Sequence, residues 1–289
     1  MDTSRIEQLP PLHVTLGWYL YFCMRDDSIT SVAVDLTFGT DPADSQLSWL
    51  TIIRIDLLTP DAGLAVGTEA VVLDELQERL EEVANSLGNG ILDRVLRRAP
   101  PRFRYVGRET GGGSRQLYFY GTAAMPEIVY ERVFADARFD PYNVASAERE
   151  ESEHITYRND LHPGAALNAL VLGDAQIEMR REQGDRLDVK REVEHALWFR
   201  SALDRQAFLE FLHKEDPAGL FKINDSSGSG STGERFGVTI TTLQSVDRIW
   251  SDIFTIGLSN HAARFGGTYD GWSALVIPDD TNARTAPPG

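Results

Sequence analysis

A single cysteine in 289 residues removes two kinds of scaffolding at once. Cys23 has no partner for an internal disulfide, and no cysteine-based zinc site can be assembled around it. It lies in the apolar run Trp18 to Met24, where it reads as a buried strand residue and not as a reactive thiol. The lack of disulfides fits a reducing compartment. Long hydrophobic runs are missing as well: no stretch approaches the roughly 20 apolar residues of a membrane-spanning helix. Met1 to Pro11 is polar and has no apolar signal core, so the expected location is the cytoplasm, with no membrane partner.

Positive charge is also scarce. Lys and Arg number 28 against 44 Asp and Glu, a formal net charge of -16 with a sequence pI near 4.8. Residues 1–150 carry -9 and residues 151–289 carry -7, so the excess is spread along the chain and not held in a tail. Such a surface repels phosphates at long range and attracts basic proteins. Direct nucleic-acid binding is therefore not expected, and on charge alone ordinary solubility is favoured over a dedicated basic protein partner.

Catalytic signatures are absent too. The six histidines show no His-Glu-x-x-His spacing, and there is no Gly-x-Ser-x-Gly elbow, Walker sequence or dinucleotide fingerprint after a strand. The glycines of Thr110-Gly111-Gly112-Gly113-Ser114 lie between two strand-like flanks, without the Lys-Ser/Thr end of a phosphate loop, and read as a hairpin turn. The motif-bearing enzyme classes lose support, and neither a cofactor nor a structural metal is expected.

What is present is a regular alternation of elements. His13 to Met24, Ser31 to Phe38 and Trp49 to Ile55 read as antiparallel strands, the first two joined by a turn at Arg25-Asp26-Asp27-Ser28. In Thr68 to Leu87, Leu73, Leu76, Leu80, Val83 and Leu87 recur at helical steps while Asp74, Glu75, Glu78, Glu81 and Glu82 fall mostly elsewhere, which predicts an amphipathic helix with an acidic outer face. A second hairpin spans Arg102 to Tyr120, and Ala123 to Ala137 reads as a helix with Pro126 in its first turn. Ala147 to Glu153 is a linker or the lead into a short strand at His154 to Arg158, placing a domain boundary between residues 145 and 165. Beyond it come a helix over Ala165 to Gln183, a strand over Glu192 to Phe199, a helix over Asp204 to His213, a hairpin and a helix over Ser245 to Phe265. The last helix carries an apolar stripe of Val246, Ile249, Trp250, Ile253 and Phe254. A final strand is expected at Ala274 to Ile277, and the tail after Pro278 is expected to fray.

The run Gly266-Gly267-Thr268-Tyr269-Asp270-Gly271-Trp272 reads as the bend between the last helix and that strand. In the bend Tyr269 and Trp272 fill the sheet–helix junction and Asp270 accepts backbone N–H groups. Asp270 as a ligand-binding carboxylate is the less favoured alternative. His195 could pair with Glu192 or Glu194 in acid/base chemistry, but strand alternation puts Val193, His195 and Leu197 on one face and both glutamates on the other. A hydrogen-bonded structural histidine is the expectation.

These residues carry a resemblance. Gly184-Asp185, the strand with His195 and Phe199, the following helix, the hairpin, the long helix and the run Gly267, Tyr269, Asp270, Gly271 and Trp272 occur in an order similar to that of the family called regulator of ribonuclease E activity B. Its members are small acidic bacterial proteins that bind and inhibit an RNA-degrading enzyme. The likeness runs from about Leu167 to Ile277, and departs where the hairpin loop Ser226 to Gly233 is polar and glycine-rich instead of strongly acidic. It implies a non-enzymatic inhibitor that covers a basic surface of a ribonuclease or RNA-degradation complex, with Glu210, Glu215, Asp216 and Asp225 as the candidate docking carboxylates. An immunity protein that neutralises a secreted toxin, possibly a nuclease, is the alternative. The first half, from Trp18 to Pro163, resembles an uncharacterised bacterial domain-of-unknown-function family often fused upstream of such a domain. The expected fold is α+β: two tandem domains, 1–160 and 161–289, each an antiparallel sheet with helices on one face, the second ferredoxin-like.

Overall fold

The computed structural model describes residues 17–87, 102–215, 221–227 and 236–278. The chain divides into two compact units, Met1–His162 and Pro163–Gly289. Both are antiparallel sheets with helices, an α+β architecture. Of the elements expected from sequence, His13 to Leu16, most of the hairpin loop and the tail after Pro278 lie outside the described residues.

The first unit runs β1 (Trp18–Arg25), β2 (Ser28–Asp35), β3 (Trp49–Asp56), α1 (Gly67–Ser86), β4 (Phe103–Gly111), β5 (Ser114–Gly121), α2 (Glu127–Phe134) and β6 (Val144–Glu150). The six strands form one sheet in the order β1-β2-β4-β5-β3-β6. Both hairpins use two-residue turns with positive φ at both positions, Asp26 and Asp27 at 46° and 61°, and Gly112 and Gly113 at 57° and 81°. That handedness matches the strand twist, and Asp and Gly tolerate it best. The expected stripe of α1 is buried: Leu73, Leu76, Leu80 and Val83 join Ile53, Ile55, Leu117 and Phe119 in one core. Asp74, counted with the acidic outer face, instead reaches the sheet, binding Arg108 at 2.9 Å and Arg115 at 2.6 Å.

Residues 144–153 differ from expectation. They supply the edge strand β6, paired with β3 from Ile55↔Val144 to Trp49↔Glu150. Its side chains are almost all exposed, so its charges point to water and protect the sheet edge. The strand expected at His154 to Arg158 is a helical turn, with Tyr157–Leu161 in π geometry. The turn lies on the sheet face away from the helices. Tyr157 O–H donates to the Asp35 carbonyl and Tyr21 O–H to the Leu161 carbonyl, both at 2.8 Å.

The second unit runs α3 (Leu167–Glu182), β7 (Arg191–Phe199), α4 (Ala202–Glu215), β8 (Lys222–Ser227), β9 (Phe236–Gln244), α5 (Arg248–Arg264) and β10 (Gly267–Ala274). The strand order β10-β7-β9-β8, all antiparallel, with α4 and α5 as the two crossovers, is the ferredoxin-like arrangement; α3 is an addition before it. Val193, Leu197 and Phe199 are fully buried under the helices while Glu192 and Glu194 are exposed on the other face.

Two expectations fail here. The glycine-rich run is not a bend: the turn is confined to Phe265 and Gly266, and residues 267–274 are themselves the last strand. Leu275 and Val276 lie beyond it and are exposed. On an unbroken strand Tyr269 and Trp272, three apart, would face opposite ways. A bulge between Tyr269 and Gly271 inserts Asp270 as the extra residue, so Tyr269 opposes Leu197, Trp272 opposes His195, and both rings face the core. Gly271, at φ 121°, takes the conformation this requires. The stripe of α5 is also different. Ile249 is buried, but Trp250, Ile253 and Phe254 are only half-buried, and the fully covered side is Ser251, Asp252, Thr255, Leu258, Ser259 and Ala262. Small side chains let α5 lie between β10 and α3. Asp252 is matched by Arg248 at 3.6 Å, which also reaches Asp174 of α3 at 3.1 Å.

Gly267 has no room for a side chain, since a Cβ there would lie 2.3 Å from the Phe199 ring. Gly267→Ala is expected to destabilise the chain by roughly 1–3 kcal/mol, read as a lower urea midpoint.

Candidate functional site

The second unit is held by two buried polar assemblies. Gly184, at φ 74°, ends α3 and turns the chain so that Asp185 points inward. Its Oδ2 accepts from Arg180 Nη1 at 2.9 Å, and its Oδ1 from Arg191 Nη1 at 2.5 Å and from the Ile277 N–H at 2.9 Å. Arg180 also donates to the Ala274 carbonyl and lies 5.2 Å over the Trp272 ring, while Arg191 donates to the carbonyls of Leu275 and Arg186. Burial opposes the Asp185 charge, but these donors hold its carboxyl below the usual range. The cluster ties α3, β7 and the segment after β10 together.

The other assembly is centred on His195, whose ring is inaccessible to solvent. Nδ1 lies 2.8 Å from Tyr269 Oη and Nε2 lies 3.2 Å from Thr242 Oγ1. Thr242 donates its own hydroxyl to Gln244 Oε1 at 3.0 Å, so it accepts from Nε2–H, leaving Nδ1 to accept from the Tyr269 hydroxyl. The network therefore selects the neutral imidazole. Burial pushes the His195 pKa down to about 4. Phe254 stacks on the ring with centroids 5.5 Å apart. Glu192 and Glu194 face the other side of the sheet and make no pair with it.

The sequence-selected carboxylates are dispersed. Glu210 and Glu215 are both exposed on α4, but five residues apart puts them about 140° apart around the helix axis. Glu210 accepts from Gln206 at 3.1 Å. Asp216 lies outside the described residues, and Asp225 is in β8, its backbone opposite Val238. Phe199 is core, with its ring centroid 5.0 Å from that of Phe208.

Asp270 was expected to accept backbone N–H groups, and a side-chain donor reaches its carboxylate as well. It stands on the exposed sheet face and accepts the indole N–H of Trp198 at 3.2 Å. Trp198 went unselected, although the alternation that sends Glu192, Glu194 and Ala196 outward carries it to the same face two residues later. A buried cluster in the first unit was also missed. Glu109 accepts from Tyr118 O–H at 2.5 Å and faces Arg25 Nε at 2.6 Å, and burial raises its pKa. Cys23 is buried on the same strand as Arg25.

Among the described residues no group of three His, Cys, Asp or Glu side chains is placed to hold a metal ion, and no helix is long and apolar enough to cross a membrane. The second unit is thus a ferredoxin-like module in which His195 and the signature rings are core, and whose sheet face away from the helices carries exposed carboxylates and a half-buried indole.

Residues 174–274 match the family described as regulator of ribonuclease activity B. The match lies within the second unit and covers its six ferredoxin-like elements and the end of α3. That family is one of regulators, not of enzymes. No curated protein matches the chain. A crystal structure titled as an unknown protein from Galdieria sulphuraria aligns over 79% of this chain and 99% of its own at 10% identity, with a TM-score of 0.20, too low to support any structural argument.

Proposed function

We propose that the chain binds a ribonuclease of the E type, or the RNA-degradation complex that contains it, and lowers its activity by covering a basic surface, without turnover. The observation that carries this reading is the match of residues 174–274 to the ribonuclease-regulator family. The physics that supports it is charge. A molecule of net charge -16 is drawn to the Arg- and Lys-rich surfaces that hold RNA phosphates, and it is repelled by the RNA itself. Carboxylates speed encounter, while apolar contacts set how long the complex lasts.

The test is RNA cleavage by the purified enzyme against increasing chain concentration. Cleavage is expected to fall to a plateau near stoichiometric amounts, and the apparent affinity to drop at least tenfold as salt rises from low to physiological strength. Unchanged cleavage at saturating protein would overturn the reading.

A further inference from the structure

Among the described residues of the second unit, none of its helices packs on the second face of the sheet. Glu192, Glu194 and Asp270 are exposed on it, Leu243 is 71% exposed, and Trp198 is half-buried beside Asp270. Lys222 pairs with Glu192 there at 2.5 Å; among the described residues no ion pair joins a cation to Glu194. The bulge gives this face its character. It places Asp270 as an extra residue on the exposed side, where its Oδ2 takes the Trp198 indole N–H at 3.2 Å. A tryptophan on a strand surface is ordinarily free to change rotamer, whereas this one is tethered at its polar edge and stays half-buried. A fixed indole beside a carboxylate has the chemistry of a guanidinium or ammonium receptor, because the ring face attracts the cation and the carboxylate pairs with it.

From this geometry we infer that the Trp198–Asp270 pair, with Glu194 further along β7, is the docking surface for a cationic segment of a protein partner. Glu194 and Trp198 are four residues apart on one strand face, about 13 Å. That spacing fits two Arg or Lys side chains four residues apart in an extended segment, with Leu243 supplying apolar contact near Glu192, which it opposes across the strands. RNA does not fit, since its phosphates would meet three carboxylates. The inference rests on the proposed function for its partner and adds the place where that partner sits.

The test uses the full chain, isotope-labelled, titrated with an arginine-rich peptide, with the same peptide carrying citrulline for arginine, and with a single-stranded RNA oligonucleotide. The indole signals of the five tryptophans are resolved by NMR, Trp198 being assigned through Trp198→Phe. The arginine peptide is expected to move the Trp198 indole signal and the amides of β7 and β10, and the citrulline peptide and RNA are expected to leave them unmoved. The double variant Asp270→Asn, Glu194→Gln, its fold checked by its amide spectrum, is expected to bind the arginine peptide at least tenfold more weakly. Equal binding by the double variant, shifts centred on the acidic helix α1, or RNA acting on Trp198 would each overturn the inference. In the cleavage assay, inhibition by the double variant equal to that of the unaltered chain would reject this surface and leave the proposed function standing. Loss of inhibition by the unaltered chain itself would reject the proposed function, while the peptide titration would still decide the surface.

Discussion

Asp185→Ala is expected to lower the free energy of unfolding of the second unit by about 3–5 kcal/mol, because it strands two buried guanidinium groups without their counter-charge. The side chains of Asp185, Arg180 and Arg191 are 0%, 7% and 5% exposed, so water cannot take over the lost role in place. Asp185 also accepts the Ile277 N–H, so its removal loosens the segment after β10. Asp185→Asn keeps the volume and an acceptor, and is expected to fall between the unaltered chain and the alanine variant. Replacing all three charged residues by apolar ones of similar size is expected to recover much of the loss, since the desolvation of the two cations disappears with them. Urea unfolding at neutral pH measures each. A loss below about 1 kcal/mol for Asp185→Ala would mean that the arginines find other partners, and that the cluster is not what joins α3 to the sheet.

The alternation of Ser31 to Phe38, the leucine spacing of α1 and the two hairpin turns were legible because each is a local pattern: period two, period 3.6, or a turn chemistry that tolerates positive φ. The split of β7 into an exposed and a buried face was legible for the same reason, and it places His195 away from Glu192 and Glu194. What was not legible depended on partners distant in sequence. The charged residues 147–150 look like a linker because an edge strand needs no apolar face; only pairing with β3 makes them a strand. The small side chains of α5 carry no apolar periodicity, because closeness to α3 and β10 selects them, and not hydrophobicity. The signature run reads as a bend because its glycines usually mark one, whereas here Gly271 serves a bulge inside a strand.

That bulge links fold to the proposed docking surface. A single extra residue lets Tyr269 and Trp272 both face the core, the first completing the His195 network and the second lying beneath Arg180. The same insertion puts Asp270 outside, against Trp198. Glu210 and Glu215 were selected for charge and nearness to element ends, which did not bring them together, while Glu194, Trp198 and Asp270 share a face because pairing of β7 with β10 aligns them. Charge alone is a poor guide to an interface on a chain this acidic; the sheet decides which carboxylates can act jointly.

The His195 network should make the second unit acid-sensitive well above the range in which carboxylates titrate. The unfolded chain protonates this histidine near its ordinary value of 6.5, but the folded chain resists until about 4. Above 6.5 both states hold the neutral ring, and the stability is fully present. As pH falls below 6.5 the unfolded state takes up a proton that the folded state refuses, so stability is lost progressively, and the loss levels off once pH drops below the folded value. The full shift corresponds to about 3 kcal/mol. Protonation makes Nδ1 a donor, so the Tyr269 hydroxyl must turn away its own proton and accept, which adds to the cost of burying the charge. Between pH 7.5 and 5 the unaltered chain is expected to lose about 2 kcal/mol more than His195→Leu, compared by urea midpoints at matched ionic strength. The variant will be less stable at pH 7.5, because Tyr269 and Thr242 lose their partner, but the slope of its stability against pH will be shallower. Parallel slopes for the two proteins would show that His195 titrates normally in the folded chain, and that the neutral tautomer is not held by the network.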